Sequence, residues 1–126
     1  MIAVTASTVL AIPCFADPSL ECSTQASSQV EIGNCMTKAD EGTQAALALA
    51  LSFARQSAES LDEVTGRPEA AKALDTAQDA WAAYRDAHCE FVGKTFGGGS
   101  GTGIAILGCR ISLTRARTDV LMQLAN

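Results

Sequence analysis

Aromatic residues are scarce in this chain: one Trp, one Tyr and four Phe make up only 5% of its 126 residues. Any interior must therefore be filled by alanine and aliphatic side chains. Such a core is modest, because a domain of this length buries about two-thirds of its unfolded surface, and covalent support would add to it. No stretch keeps up the apolar–polar alternation of a half-buried strand, which argues against a sheet. There is no C-x2-C pair, and the wide cysteine spacings disfavour zinc, the competing reading of the cysteines. Basic residues are not in excess. A net charge of −5 argues against nucleic acid and an anionic membrane as partners.

What is present is ordinary for a soluble globule: 48% hydrophobic and 18% charged residues place the chain well away from disorder. The charge is unevenly spread. Between Asp17 and Glu63, Asp17, Glu21, Glu31, Asp40, Glu41, Glu59, Asp62 and Glu63 face only Lys38 and Arg55, a net −6. From Val64 onward six acidic residues face seven basic ones. An acidic half favours a cationic partner, although a solubilising face is the plainer use of any one of these residues.

Residues 1–16 carry no charge and end on small residues, with Cys14 two positions before Ala16. The block is shorter than the roughly 20 residues of a membrane span, and it resembles the apolar core and cleavage site of a secretory signal peptide. No Lys or Arg precedes it, which is expected if the true start codon lies upstream. A buried N-terminal strand is the alternative. Lipidation of Cys14 would bring the membrane in as a partner, but Ala11-Ile12-Pro13 makes a poor lipobox. The expected organisation is thus a signal peptide at 1–16 and one domain at 17–126, periplasmic or secreted.

Four cysteines follow the block: Cys22, Cys35, Cys89 and Cys109. An even number in a short exported chain favours a disulfide framework. Three pairings exist, and Cys22–Cys35 with Cys89–Cys109 is favoured because each closes a local loop. In the chain-entropy model each such link is worth about 3 kcal/mol.

The helical signals come in three blocks. Ser28-Gln29-Val30-Glu31 is a capping-box pattern opening an Ala-, Leu- and Gln-rich stretch to about Leu61, which Gly33 or Gly42 is able to break. A short helical turn is expected between Cys22 and Ala26. Pro68 suits the first turn of a second helix running to Phe91, with Gly93 as its stop signal. Its expected packing stripe is Leu74, Ala77, Trp81, Tyr84 and His88, extended by Ala70 and Phe91. Gly97, Gly98, Gly99, Gly101 and Gly103 then exclude regular structure. Thr102 is the expected cap of a third helix to about Leu124, with Ile104, Leu107, Ile111, Val120, Leu121 and Leu124 as its apolar stripe. The expected fold is all-α, an up-down-up three-helix bundle with a short extra N-terminal helical turn, stapled by two disulfides.

Few residues invite a chemical reading. The glycine tract lacks a following Gly-Lys-Ser/Thr and a preceding strand, so it is not a phosphate loop. His88 and Cys89 are adjacent and point about 100° apart on a helix, and a paired Cys89 would have no free thiol. The carboxylate pairs Asp75/Asp79 and Asp86/Glu90 read as solvated helix faces. Arg85, Arg115 and Arg117 read as structural, because guanidinium groups on facing helices can bond carboxylates and helix ends bidentately. No catalytic residue, metal site, cofactor or small-molecule substrate is expected.

One spaced pattern is specific. Leu74-x3-Gln78-x2-Trp81-x2-Tyr84-Arg85-Asp86-x2-Cys89, a Gly-Gly-Ser loop, and Cys109-x3-Leu113-Thr114-x2-Arg117-x3-Leu121 resemble the LprI-type lysozyme inhibitor family, with Cys22, Glu31 and Cys35 fitting its first cysteine pair. The likeness runs from Cys22 to Leu121. Where the family has Leu-Asn and a later Tyr, this chain has Thr43, Gln44 and Leu47. The resemblance implies an exported, helical, bacterial protein, with Gln78, Trp81, Tyr84, Arg85, Asp86, Thr114 and Arg117 in structural roles. It also implies a protein partner, a basic c-type lysozyme. The expected action is steric: a tethered loop carrying Phe96, Gly98, Gly99, Ser100 and Thr102, or the acidic first helix, occludes the cleft. A cell-envelope interaction module with an endogenous protein partner is the alternative.

Overall fold

The computed structural model describes residues 16–125; the expected signal peptide before Ala16 and the lipidation reading of Cys14 lie outside them. The chain forms four helices, α1 (Pro18–Ser23), α2 (Gln29–Thr65), α3 (Ala70–Lys94) and α4 (Thr102–Leu124), and no strand among the described residues. The all-α architecture with two disulfides is as expected, and several boundaries differ.

The short first helix begins earlier than its sequence signals implied. Pro18 occupies its first turn, and the Asp17 carboxylate accepts a hydrogen bond from the Ser19 amide at 2.9 Å, so cap and proline together start it upstream of Cys22. Helix α2 starts on the Ser28/Glu31 capping box and then runs through both Gly33 and Gly42 without a break. Each glycine costs about 1 kcal/mol relative to alanine, too little to interrupt a helix held by the capping box and Met36 around Gly33 and by Met36 and Leu47 around Gly42. It ends on Gly66 in the left-handed conformation.

Helices α2 and α4 form the central pair. Met36 in the early part of α2 packs with Ile111, while Leu47, Ala50 and Ala54 further along α2 pack with Leu121 near the end of α4, so the two run parallel. Helix α3 returns antiparallel and packs against both. Helix α1 lies against the first turns of α2, held by Cys22–Cys35, and against α4 through a bidentate Arg115–Glu21 pair at 2.9 and 3.0 Å. A half-exposed pair of this kind contributes at most about 1 kcal/mol.

The packed face of α3 is rolled away from the expected stripe. Arg85, Cys89 and Gly93 are its buried residues, with Leu74 and Trp81 packed on the core beside them, while Tyr84 and Phe91 stay 56% and 63% exposed. The Cys89–Cys109 bond and the contacts of Arg85 choose this face, because alanines on both sides leave apolar size almost indifferent to the roll. On α4, Ile111, Thr114 and Leu121 go inside; Val120 and Leu124 of the expected stripe are 44% and 57% exposed.

Gly93 does not stop α3. It lies buried inside the helix at a close approach to α4, where a Cβ would come within 2.6 Å of the Ile106 Cγ1 atom. Thr102 likewise is the first residue of α4 and not its cap, the cap being Gly101 without a side-chain bond. The start of α3 is capped from another helix: the Asp62 carboxylate accepts from the amides of Glu69, Ala70 and Ala71 at 3.2, 2.8 and 3.1 Å.

Two expectations follow from these contacts. Gly93→Ala should destabilise the protein by about 1–3 kcal/mol through overpacking, and the double variant with Ile106→Ala should lose less than the sum of the two singles in urea denaturation. The three amide bonds, that of Ala71 first, hold the Asp62 carboxyl below the usual carboxylate range. With the folded-state pKa below the unfolded value of about 3.9, the stabilisation is present above that pH and lost as the pH falls. The stability gap between wild type and Asp62→Asn, measured by thermal melts from neutral pH downward, should therefore close in acid.

Candidate functional site

Five of the seven motif residues meet in one polar girdle between α2, α3 and α4. Two guanidinium groups approach the Trp81 ring, with the Arg85 Cζ 5.1 Å and the Arg117 Cζ 5.9 Å from its centroid. Arg117 Nε donates to Gln78 Oε1 at 3.0 Å. Arg85, only 7% exposed, donates from Nε and Nη2 to Asp86 Oδ1 at 2.9 Å, and from Nη1 to Gln44 Oε1 on α2 at 3.2 Å. The same Asp86 oxygen accepts from Arg110 of α4 at 2.9 Å, and Arg110 Nε reaches Asp40 Oδ2 at 3.6 Å.

Tyr84 and Thr114 stand outside that girdle. Tyr84 faces solvent and stacks on His88, with ring centroids 5.4 Å apart, and His88 meets Phe91 at 6.4 Å. Thr114 is fully buried, filling a core position of α4. Sequence reasoning missed Asp40, Gln44, Arg110 and the capping role of Asp62. For Gln44 a signal existed: it stands where the family resemblance puts an Asn, so an amide acceptor persists at that place.

The segment expected as a loop, Phe96–Gly103, is shorter in the structure, since Thr102 and Gly103 already belong to α4. Residues 95–101 form a series of tight turns. Thr95 Oγ1 donates to the Val92 carbonyl at 2.6 Å, the Phe96 amide to Gly93, and the Thr102 amide to Gly99. Gly97 and Gly98 have φ of 64° and 85°, values that side-chain-bearing residues rarely adopt. Cys89–Cys109 staples the stem below, with Cα atoms 5.4 Å apart. Gly98, Gly99 and Ser100 form the exposed tip, and Phe96 is 53% exposed at its side. The Phe96 ring also walls a groove of about 620 Å³ whose other sides include Pro18, Leu20, Ile32, Val92 and Ile104.

Carboxylates are mostly committed to internal contacts. Asp75 pairs with Arg55, Asp86 with Arg85 and Arg110, and Glu90 weakly with Lys94. In the acidic half, Asp17 and Glu31 cap helices, Glu21 and Asp40 bond arginines, and Asp62 caps α3. The Ser19 contacts hold Asp17, the Arg115 bond holds Glu21, and the Ser27 and Ser28 contacts hold Glu31 below the usual carboxylate range. Among the described residues no group of three His, Cys, Asp or Glu side chains is placed to hold a metal, and no helix is long and apolar enough to cross a membrane.

The described residues thus form a helical domain stapled by two disulfides, with an uncharged turn segment between α3 and α4. The chain belongs to the LprI family of lysozyme inhibitors: the family model, Lysozyme inhibitor LprI, matches residues 21–121. The chain is also 32% identical over 105 residues to an uncharacterized protein of Rhizobium meliloti (strain 1021), covering 79% of this chain and 76% of that protein. No solved structure matches it significantly.

The girdle sets a stability expectation. Arg85→Ala removes the stacked guanidinium and leaves the Gln44 amide oxygen without its donor, at a cost of about 2 kcal/mol. Arg85→Lys should restore less than half of that loss in urea midpoints, because an ammonium cannot bond Asp86 and Gln44 while lying flat on Trp81.

Proposed function

We propose that this protein is an exported inhibitor that binds a basic lysozyme and blocks its cleft with the loop at residues 95–101. The observation that carries the reading, beyond family membership, is the construction of that loop. It projects from the end of two helices, is stapled by Cys89–Cys109, and turns through left-handed glycines at its tip. It also carries no charge between Thr95 and Gly101. A prefolded segment loses little further conformational entropy on insertion, and a narrow uncharged tip suits a cleft whose walls are carboxylates. Phe96, half-exposed at the side of the loop, supplies apolar contact area.

The acidic first long helix is the weaker candidate for the plug. Most acidic residues of that half stabilise this chain internally; Glu41, Glu59 and Glu63 are the ones outside any ion pair or cap among the described residues. Those three, with a net charge of −5, still accelerate encounter with a cationic partner. The two disulfides and the inhibitor family support action outside the cytoplasm.

The test is a lysozyme activity assay with the oxidised protein against c-type, g-type and bacterial enzymes. Inhibition of a basic lysozyme should weaken as salt rises. Replacing Gly98 by Val should raise the inhibition constant at least about tenfold, equivalent to 1.4 kcal/mol, without lowering helicity. No inhibition of any of the three at micromolar protein would end this reading.

A further inference from the structure

We propose that the groove between the end of α2, the start of α3 and the end of α4 binds one single-chain fatty acid, its carboxylate on Arg117 and its acyl chain along Leu61, Val64 and Leu124. The groove has a volume of about 670 Å³, within the range of small-molecule sites. Ala54 and Ala58 of α2 and Ala73 and Ala77 of α3 form part of its walls. Alanine side chains end at Cβ, so the two helices leave a furrow between them. Leu61, Val64 and Leu124 also border it and are 55%, 85% and 57% exposed. Covering three large apolar side chains in one place favours an apolar ligand.

Charge identifies the head of that ligand. Arg55, Arg67, Arg85, Arg110 and Arg115 each form an ion pair with a carboxylate of this chain. Arg117 forms none among the described residues. Its Nε donates to the neutral Gln78 Oε1 at 3.0 Å, and its two Nη groups meet no acceptor among those residues. The side chain is half-buried, lies over Trp81 and lines the groove. A partly desolvated guanidinium with two free donors is matched by one carboxylate, which can accept from both.

The positions of these groups set the direction and length of the ligand. The Gln78 bond holds Arg117 at the Ala77 end of the groove, and Leu124 follows two turns later on α4. At the other end the Asp62 carboxylate holds the first turn of α3 beside Leu61 and Val64. From Ala54 to Val64 the helix rises about 15 Å, a distance spanned by a staggered chain of roughly a dozen carbons. An anionic bilayer is a poorer match, since the protein carries a net charge of −5 and a single guanidinium does not offset it. The groove lies at the opposite end of α3 and α4 from Gly98–Ser100, so this site is independent of the lysozyme reading.

Isothermal titration calorimetry of the oxidised full chain with laurate, kept below its micelle concentration, tests the inference. Laurate should bind one per chain with a micromolar dissociation constant and change the fluorescence of Trp81, the sole tryptophan. Dodecanol, of the same length without the charge, should bind at least about tenfold more weakly, equivalent to 1.4 kcal/mol. Leu124→Glu, at an exposed position, should weaken laurate at least about tenfold with an unchanged circular dichroism spectrum. Arg117→Gln should lower laurate to the affinity of dodecanol; if that variant unfolds, the difference between laurate and dodecanol in the wild type decides the part played by charge. No laurate binding, equal affinity for laurate and dodecanol, indifference to Leu124→Glu, or binding only to phosphatidylglycerol vesicles would each overturn the proposal.

Discussion

A buried guanidinium sets the arrangement of this domain. Arg85 is 7% exposed at the heart of α3, where helix packing normally places a large apolar side chain. Removing an arginine from water is unfavourable unless its donors are met, and here they are met by Asp86, by Gln44 and by the face of Trp81. Those contacts are directional. In a chain so rich in alanine the apolar surfaces of the helices are nearly smooth, and smooth surfaces do not specify one rotation. The hydrogen bond from this guanidinium across to Gln44 of α2 does.

Consequences run outward from that roll. On the same face Cys89 bonds Cys109 and Gly93 meets Ile106, so α3 and α4 approach closely just below the loop. The roll also turns Tyr84, His88 and Phe91 to solvent as a continuous aromatic ridge. The packed face leaves the stem of the loop at residues 95–101 stapled by Cys89–Cys109.

Charge plays two parts in the acidic half. Asp17, Glu31 and Asp62 satisfy amides at helix starts, where the first turn has donors without intrahelical partners. Glu21 and Asp40 hold arginines of α4, tying the N-terminal elements to the last helix. A charge tally read along the chain cannot separate these uses from a solvated face, because both look alike until the partner is located.

Much of the fold was legible without coordinates. The scarcity of aromatics, the capping box at Ser28, the glycine tract and the four cysteines pointed to an all-α, disulfide-stapled chain with breaks near Gly66 and Gly97, whereas Pro68, expected in the first turn of the second helix, lies in the turn before it, since α3 starts at Ala70 after Glu69. The spaced Gln78, Trp81, Arg85 and Asp86 pattern pointed to the family and marked residues that the structure gathers into one girdle. These features are local, or are recorded as spacing along a single helix. The tertiary structure decided what depends on a neighbour: that Gly42 does not break α2, that Gly93 marks a contact and not an end, that Asp62 caps a different helix, and which side of α3 faces inward. Helical periodicity gives a set of faces, and only the partners across the interface, here Gln44, Arg110 and Cys109, select the one that is buried.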